Sequence, residues 1–269
     1  MKSRKKLKVA LALGSGGAKG FAHIGVIKAF EEAGIKFDII TGCSMGAIIG
    51  SCFALGISSS QMEERAINST NGEIIDIKFP NADGFVKGDK AEKLIREFVG
   101  VKDSEPQFSD CKVPFGCVAS DIAKVELVEL THGSIIPAVR ASFSITGVFR
   151  PVEIGGRKLL DGGIFSRVPV NLARKMGADI VIAVDCIGAT TAVDMDNFKY
   201  IDTIARIFNI MDYQVSKSEL ESADFLLNLE QPTVSAIRVK NVSEGIAVGD
   251  QTSKANIIKI KLLIDSYTK

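Results

Sequence analysis

Tryptophan is absent from this chain of 269 residues, and tyrosine occurs three times. Proteins that hold single-stranded nucleic acid stack bases on aromatic side chains, so that role has little to build on here. Neither sign of charge predominates: 33 Lys and Arg stand against 32 Asp and Glu, a formal net charge of +1. A nucleic-acid partner is therefore not expected. The five cysteines, Cys43, Cys52, Cys111, Cys117 and Cys186, are odd in number and include no Cys-x-x-Cys pair. That argues against a disulfide framework and a zinc ribbon, and the expectation is reduced, buried thiols in a cytoplasmic protein. No apolar run approaches the roughly 18 residues of a membrane span. The start, MKSRKKLKVALALG, has a basic lead-in and a short apolar run without a cleavage site, so it reads as a first strand and not a signal peptide. Histidine is the scarcest ionisable residue, with His23 and His132 alone.

What is present is alternation. Strand-like runs occur at 8–13, 37–41, 113–120, 124–130, 178–185 and 223–229, several of them unbroken apolar stretches of the kind buried on both faces. Helical spacing falls between them. It covers 18–34, ending at Gly34; 47–55, ending at Gly56; and 87–100, with Asp89 as cap and Gly100 as stop. Further helices are expected at 168–179, at 201–222, and from a Ser243 cap nearly to Tyr267. Such alternation predicts an α/β fold of three layers, α/β/α, with a largely parallel central sheet. No composition break divides the chain, so one domain over 1–269 is expected, with a motif-bearing core over 7–186 and a C-terminal helical region over 201–269.

Three motifs sit at junctions of this pattern. GSGGAKG, residues 14–20, joins the first strand to the first helix. Its glycines permit a sharp turn that leaves backbone N–H groups pointing outward beside a helix N-terminus, which makes an anion site. The P-loop spacing is missing, and the dinucleotide fingerprint fits only with Ser15 in the first glycine's place. A phosphate loop and an oxyanion hole both remain as readings of it. GCSMG, residues 42–46, lies between FDIIT and an apolar helix. Gly42 and Gly46, two residues either side of Ser44, relieve crowding where a strand turns abruptly into a helix, the form of a nucleophile elbow. The helix N-terminus beneath favours negative charge developing there. The third motif, LLDGGIFSRVPV (159–170), sets Asp161 at the end of a short apolar run before Gly162 and Gly163. Taken alone, its Asp-Gly signals a β-turn.

A serine nucleophile needs a base. His23 lies in the first helix between Ala22 and Ile24, where a core role is the simpler reading, and His132 falls in a turn. The α/β-hydrolase order is serine, acid, histidine, and no histidine follows Asp161. A triad in that order with Asp161 as its acid is excluded. Direct proton transfer to a carboxylate is left, with burial raising its pKa toward the working range.

The set GSGGAKGFAHIGVIKAFEEAGI, GCSMG, RASFSITGVFRPV, DGG and GADIVIAVD resembles the patatin-like phospholipase family in its compact bacterial form, from residue 7 to 186 and weakly through the terminal helix. The resemblance implies a Ser-Asp dyad, with Ser44 as nucleophile and Asp161 as proton acceptor. It also implies an oxyanion hole from the N–H groups of Gly16 and Gly17. Ser15, Lys19, Gly20, Gly42, Gly46, Gly162 and Gly163 would support the motifs, Lys19 by positioning charge and not by reacting. The implied enzyme is a serine esterase cleaving lipid acyl esters, phospholipase A- or lysophospholipase-like, with no cofactor and no metal. It would be cytoplasmic, with transient contact at a membrane surface. Ile48, Phe53, Phe143, Phe149 and Phe165 would suit an acyl chain, and 71–90 reads as a lid or as a surface excursion. Three departures stand out: Ser15 in place of a glycine, IFSRVPV without the family's asparagine, and 138–151 without its proline before the phenylalanine. A soluble esterase or thioesterase with the same dyad, and a non-enzymatic anion-binding role for the glycine loop, are the other function classes that fit. Nothing in the sequence indicates an oligomeric state.

Overall fold

The first strand sets the layers. β1 (Val9–Leu13) is wholly buried. Its residues alternate between two cores: Val9, Leu11 and Leu13 enter the larger, Ala10 and Ala12 the smaller. Successive strand side chains point to opposite faces, so the sheet is covered on both. This computed structural model describes residues 7–69, 88–101, 104–188, 200–229, 231 and 242–267.

The other strands are β2 (Ile39–Gly42), β3 (Phe115–Asp121), β4 (Glu126–Leu130), β5 (Val152–Ile154), β6 (Arg157–Asp161), β7 (Ile180–Asp185) and β8 (Phe225–Asn228). They form one sheet of order β5-β6-β3-β2-β1-β7-β8, with β4 paired to β3. From β3 to β8 along that order the strands run parallel; β4, β5 and β6 are antiparallel additions. Helices α1 (Ala22–Glu32), α2 (Met45–Leu55), α3 (Ser59–Ser69), α4 (Asp89–Val99) and α5 (Ile135–Ser142) contribute to the larger core. α6 (Val170–Lys175) and α7 (Tyr200–Glu221) cover the other face, and α8 (Val242–Ser266) returns to the first. The fold is thus α/β with a mostly parallel sheet between helices, as the alternation predicts. Among the described residues no helix is long and apolar enough to cross a membrane.

One pairing detail positions the candidate site. Cys117 of β3 is opposite both Gly42 of β2 and Leu130 of β4, and Ala119 is opposite both Val128 of β4 and Asp161 of β6. A strand has two edges, so β2 and β6 share the edge that β4 does not occupy. Asp161 therefore lies two residues beyond the last residue of β2, about 7 Å further along the strand direction.

Several sequence expectations change. The β5–β6 hairpin was not foreseen; its turn is Gly155–Gly156, both with positive φ (57° and 74°) as a tight hairpin loop requires. Asp161 is accordingly the end of a strand, and the Asp-Gly that follows opens a 3-10 turn (Gly162–Ile164), not a hairpin. Asp89 is the first residue of α4 and not its cap; Gly88, at φ 89°, occupies that position without a side-chain bond. α8 already begins at Val242, so Ser243 lies inside it. Residues 71–87 of the expected lid lie outside the described residues.

Candidate active site

Ser44 stands just past the end of β2, after Cys43, and is the residue before α2, with φ 55° and ψ −121°. A non-glycine residue rarely adopts such a backbone, and holding it there costs about 1–3 kcal/mol. The neighbours show why it is imposed. A Cβ on Gly42 would come within 2.5 Å of Gly46 O, and one on Gly46 within 2.2 Å of Leu13 O. Strand end, helix start and β1 are pressed together backbone to backbone, and only glycine fits at both places. Ser44 is buried, and its own N–H donates to Ser142 Oγ at 3.0 Å.

Asp161 meets Ser44 across 117 positions of sequence: Ser44 Oγ donates to Asp161 Oδ2 at 2.7 Å. The other carboxyl oxygen, Oδ1, accepts Gly163 N–H at 2.9 Å and the Cys43 thiol at 3.7 Å. Burial holds the Cys43 thiol well above its ordinary pKa, so it stays protonated and can donate. The Asp161 backbone is held as firmly, with its N–H on Ser144 O at 2.9 Å and its carbonyl accepting Ser120 Oγ at 2.8 Å. Loss of surrounding water pushes the Asp161 pKa up to about 6, against the pull of the donors from Ser44, Gly163 and Cys43. A carboxylate titrating there is a competent base near neutral pH.

The glycine loop lies beside the elbow because β1 and β2 are adjacent and parallel. Gly14 N–H donates to Val184 O and Ser15 N–H to Arg167 O, both at 2.9 Å. A Cβ on Gly20 would strike Met45 at 2.5 Å, so the loop also touches the residue after Ser44. Among the described residues the N–H groups of Gly16 and Gly17 have no hydrogen-bond partner. His23 is buried beneath the loop, with Nε2 2.8 Å from Gly14 O. Burial drives its pKa down to about 4, so the ring is neutral and donates to that carbonyl. It braces the loop and makes no hydrogen bond to Ser44. His132 is exposed between β4 and α5. Lys19 is half-buried at the loop's rim, and desolvation lowers its pKa.

Of the five residues expected to suit an acyl chain, Ile48, Phe143 and Phe149 are interior members of the larger core and Phe53 packs against it; Phe165 is partly exposed after the Asp161 turn. Sequence reasoning marked 138–151 only by its departure from the family pattern and missed what it does for Ser44 and Asp161. Ser142 holds the Ser44 backbone and Ser144 O holds that of Asp161, so a single segment at the end of α5 clamps both partners. Ser142→Ala would strand a buried N–H at the strained residue. We expect a loss of about 1–3 kcal/mol in urea unfolding. A fall of about tenfold in kcat/KM on a soluble ester should accompany it, since misplacing a reacting group is costly.

The profile of the family described as patatin-like phospholipase matches residues 11–174, a span that includes the glycine loop, Ser44 and Asp161. This chain belongs to the patatin-like phospholipase family. Among its curated relatives is an uncharacterized NTE family protein of Mycobacterium tuberculosis, 38% identical over 184 residues, which are 68% of this chain and 50% of that protein. Human patatin-like phospholipase domain-containing protein 6 is 33% identical over 198 residues, 71% of this chain and 14% of that protein. The chain thus spans half or less of the length of these relatives. In three dimensions it is similar to VipD from Legionella pneumophila, with a TM-score of 0.55 at 15% identity over 97% of this chain and 67% of that one. At that identity the likeness shows the fold alone, a patatin-like α/β sheet.

Proposed function

We propose that this patatin-like protein is a serine acyl hydrolase that cleaves acyl esters of lipids through a covalent acyl-enzyme. The observation that carries the reading is the 2.7 Å hydrogen bond from Ser44 Oγ to Asp161 Oδ2, where no histidine reaches the serine. Ser44 Oγ attacks the ester carbonyl carbon and its proton passes to Asp161. The carbonyl oxygen, now anionic, is stabilised by the N–H groups of Gly16 and Gly17, at roughly 3 kcal/mol per donor, and by the N-terminus of α2. Collapse breaks the bond to the alcohol, which leaves with the proton from Asp161. Water then attacks the acyl carbon, its proton goes to Asp161, and release of the carboxylic acid returns that proton to Ser44. Family membership supports lipid esters as the substrate class, with the enzyme working at a membrane surface.

Labelling with a fluorophosphonate followed by peptide mass spectrometry tests the reaction class. Ser44 is expected to be the modified residue, and Ser44→Ala to abolish both labelling and fatty-acid release. Modification at other residues, or none under conditions that label a control serine hydrolase, would refute the proposal.

A further inference from the structure

Two apolar features stand exposed at the end of the sheet that carries Ser44. One is the turn between β3 and β4. Ile122 is 53% exposed and Val125 73% exposed. Val125 has φ 58°, a left-handed backbone that a β-branched side chain disfavours. The turn is nevertheless firmly built. Asp121 Oδ1 accepts the N–H groups of Ala123 and Lys124, both at 3.1 Å. Arg157 Nε donates to Asp121 Oδ2 at 2.9 Å, and its other arm pairs with Glu126. Lys124, at the tip between the two apolar residues, is exposed and has no ion pair among the described residues. The second feature is one face of α7, where Ile207 is 46%, Phe208 47% and Met211 58% exposed. Spacings of three and four residues set them on one side of the helix.

Both features rise past the candidate site. Gly42, the last residue of β2, pairs with Cys117, whereas the β3–β4 turn begins after Asp121. The tip therefore projects four residues, about 13 Å, beyond the elbow. On the other side, buried Arg167 binds Asp185, the last residue of β7, at 2.5 Å and Asp212 of α7 at 3.1 Å. Asp212 thus marks the level of the strand ends. α7 leads from the carboxyl end of β7 back to the start of the parallel β8, so residues 200–211 extend beyond that level by about 18 Å. The order β3-β2-β1-β7 sets the elbow and the glycine loop between these two projections.

Resting on the lipid-hydrolase reading above, we infer that this face seats on the surface of a phospholipid bilayer. Ile122 and Val125 enter the headgroup–acyl boundary on one side of Ser44, and Ile207, Phe208 and Met211 enter on the other. Lys124 keeps its ammonium among the lipid phosphates while its stem lies along the apolar layer. A second copy of the chain is a poorer occupant, because the cores of protein interfaces are depleted in lysine and Lys124 is at the centre of the tip. A bilayer also accounts for a rigid turn that holds a strained valine out in water.

Flotation with vesicles of phosphatidylcholine and phosphatidylglycerol tests this, using full-length Ser44→Ala protein so that no turnover intervenes. The parent surface is expected to float with the vesicles. Combining Ile122→Ser, Val125→Gly, Phe208→Ser and Met211→Ser should cut partition at least about tenfold. With Ser44 intact, the same four changes should lower fatty-acid release from vesicles in proportion and leave hydrolysis of a short soluble p-nitrophenyl ester unchanged. Val125→Gly alone should raise Tm, because it relieves the backbone, while still weakening partition; a purely structural valine would not separate the two. Equal flotation of the parent and the fourfold variant, absence of flotation by the parent, or a dimer in light scattering that the four changes split would each overturn the inference. Failure of Ser44 labelling would overturn the hydrolase reading instead, and flotation of the Ser44→Ala protein is measured independently of it.

Discussion

Asp161→Asn is expected to yield a folded protein whose kcat/KM on a soluble ester is lower by a factor of between about a hundred and ten thousand, the range that a positioned general base supplies. The amide keeps the shape of the carboxyl group and an oxygen to accept Gly163 N–H. It cannot take a proton from Ser44, and its NH2 group faces the serine as a donor. The pH profile carries the same signature. Burial raises the Asp161 pKa to about 6, so the group is protonated and idle below that pH. Log kcat/KM should climb with unit slope to about pH 6 and level off above it. Stability moves in the opposite sense. A carboxyl whose folded pKa lies above the ordinary value of about 3.9 holds its proton more tightly in the native state, so its ionised form destabilises the fold. That cost is fully present above about pH 7 and is relieved as pH falls from about 6 to 4. Asp161→Asn should therefore melt at or above the parent Tm in neutral buffer, with the advantage vanishing in acid. An acid limb that persists in the asparagine variant, or a fall in Tm at neutral pH with activity retained, would remove Asp161 from the role of base.

The turn at Ser44 was legible because its constraint is local. A serine between glycines at a strand–helix junction names a shape, and the shape in turn explains both glycines. The loop at 14–20 was legible for the same reason, and His23 could be set aside because Ala22 and Ile24 on either side mark an interior helix position. Asp161 was not readable from spacing. Its place depends on β2 and β6 sharing one edge of β3, a long-range pairing that leaves only a short apolar run in the sequence. The residue could be named only by family resemblance. The β5–β6 hairpin escaped because strands of three and five residues are too short to show a period, although the Gly155–Gly156 turn was there to be noticed. Ser142 had no signal at all. A buried serine at the end of a helix looks like packing until the N–H that it accepts is located.

Gly46→Ala should separate the geometry of the elbow from the chemistry of its side chains. The added Cβ would lie 2.2 Å from Leu13 O and 2.5 Å from Gly14 O, both backbone atoms. They cannot turn aside as a side chain would. Leu13 O already accepts Cys43 N–H at 3.0 Å, and Gly14 N–H is bound to Val184 O. Relief must come from moving α2, and with it Ser44, away from β1 and the glycine loop. We expect a loss of about 3 kcal/mol or more in urea unfolding, the upper range for overpacking. Among the molecules that remain folded, ester hydrolysis should fall about a hundredfold, because a displacement near 1 Å is enough to misalign attack. Gly50→Ala in the same helix is the control. There the new methyl group would meet only side-chain atoms, the nearest being Ile40 Cγ2 at 3.2 Å. Alanine also gains helix propensity of about 1 kcal/mol, which offsets the tighter contact, so stability and activity should both stay near the parent values. If the two alanines behaved alike, the contact between elbow and loop would not be what holds Ser44 in its strained conformation. A Gly46→Ala protein that is destabilised yet fully active when folded would show that activity does not depend on that contact.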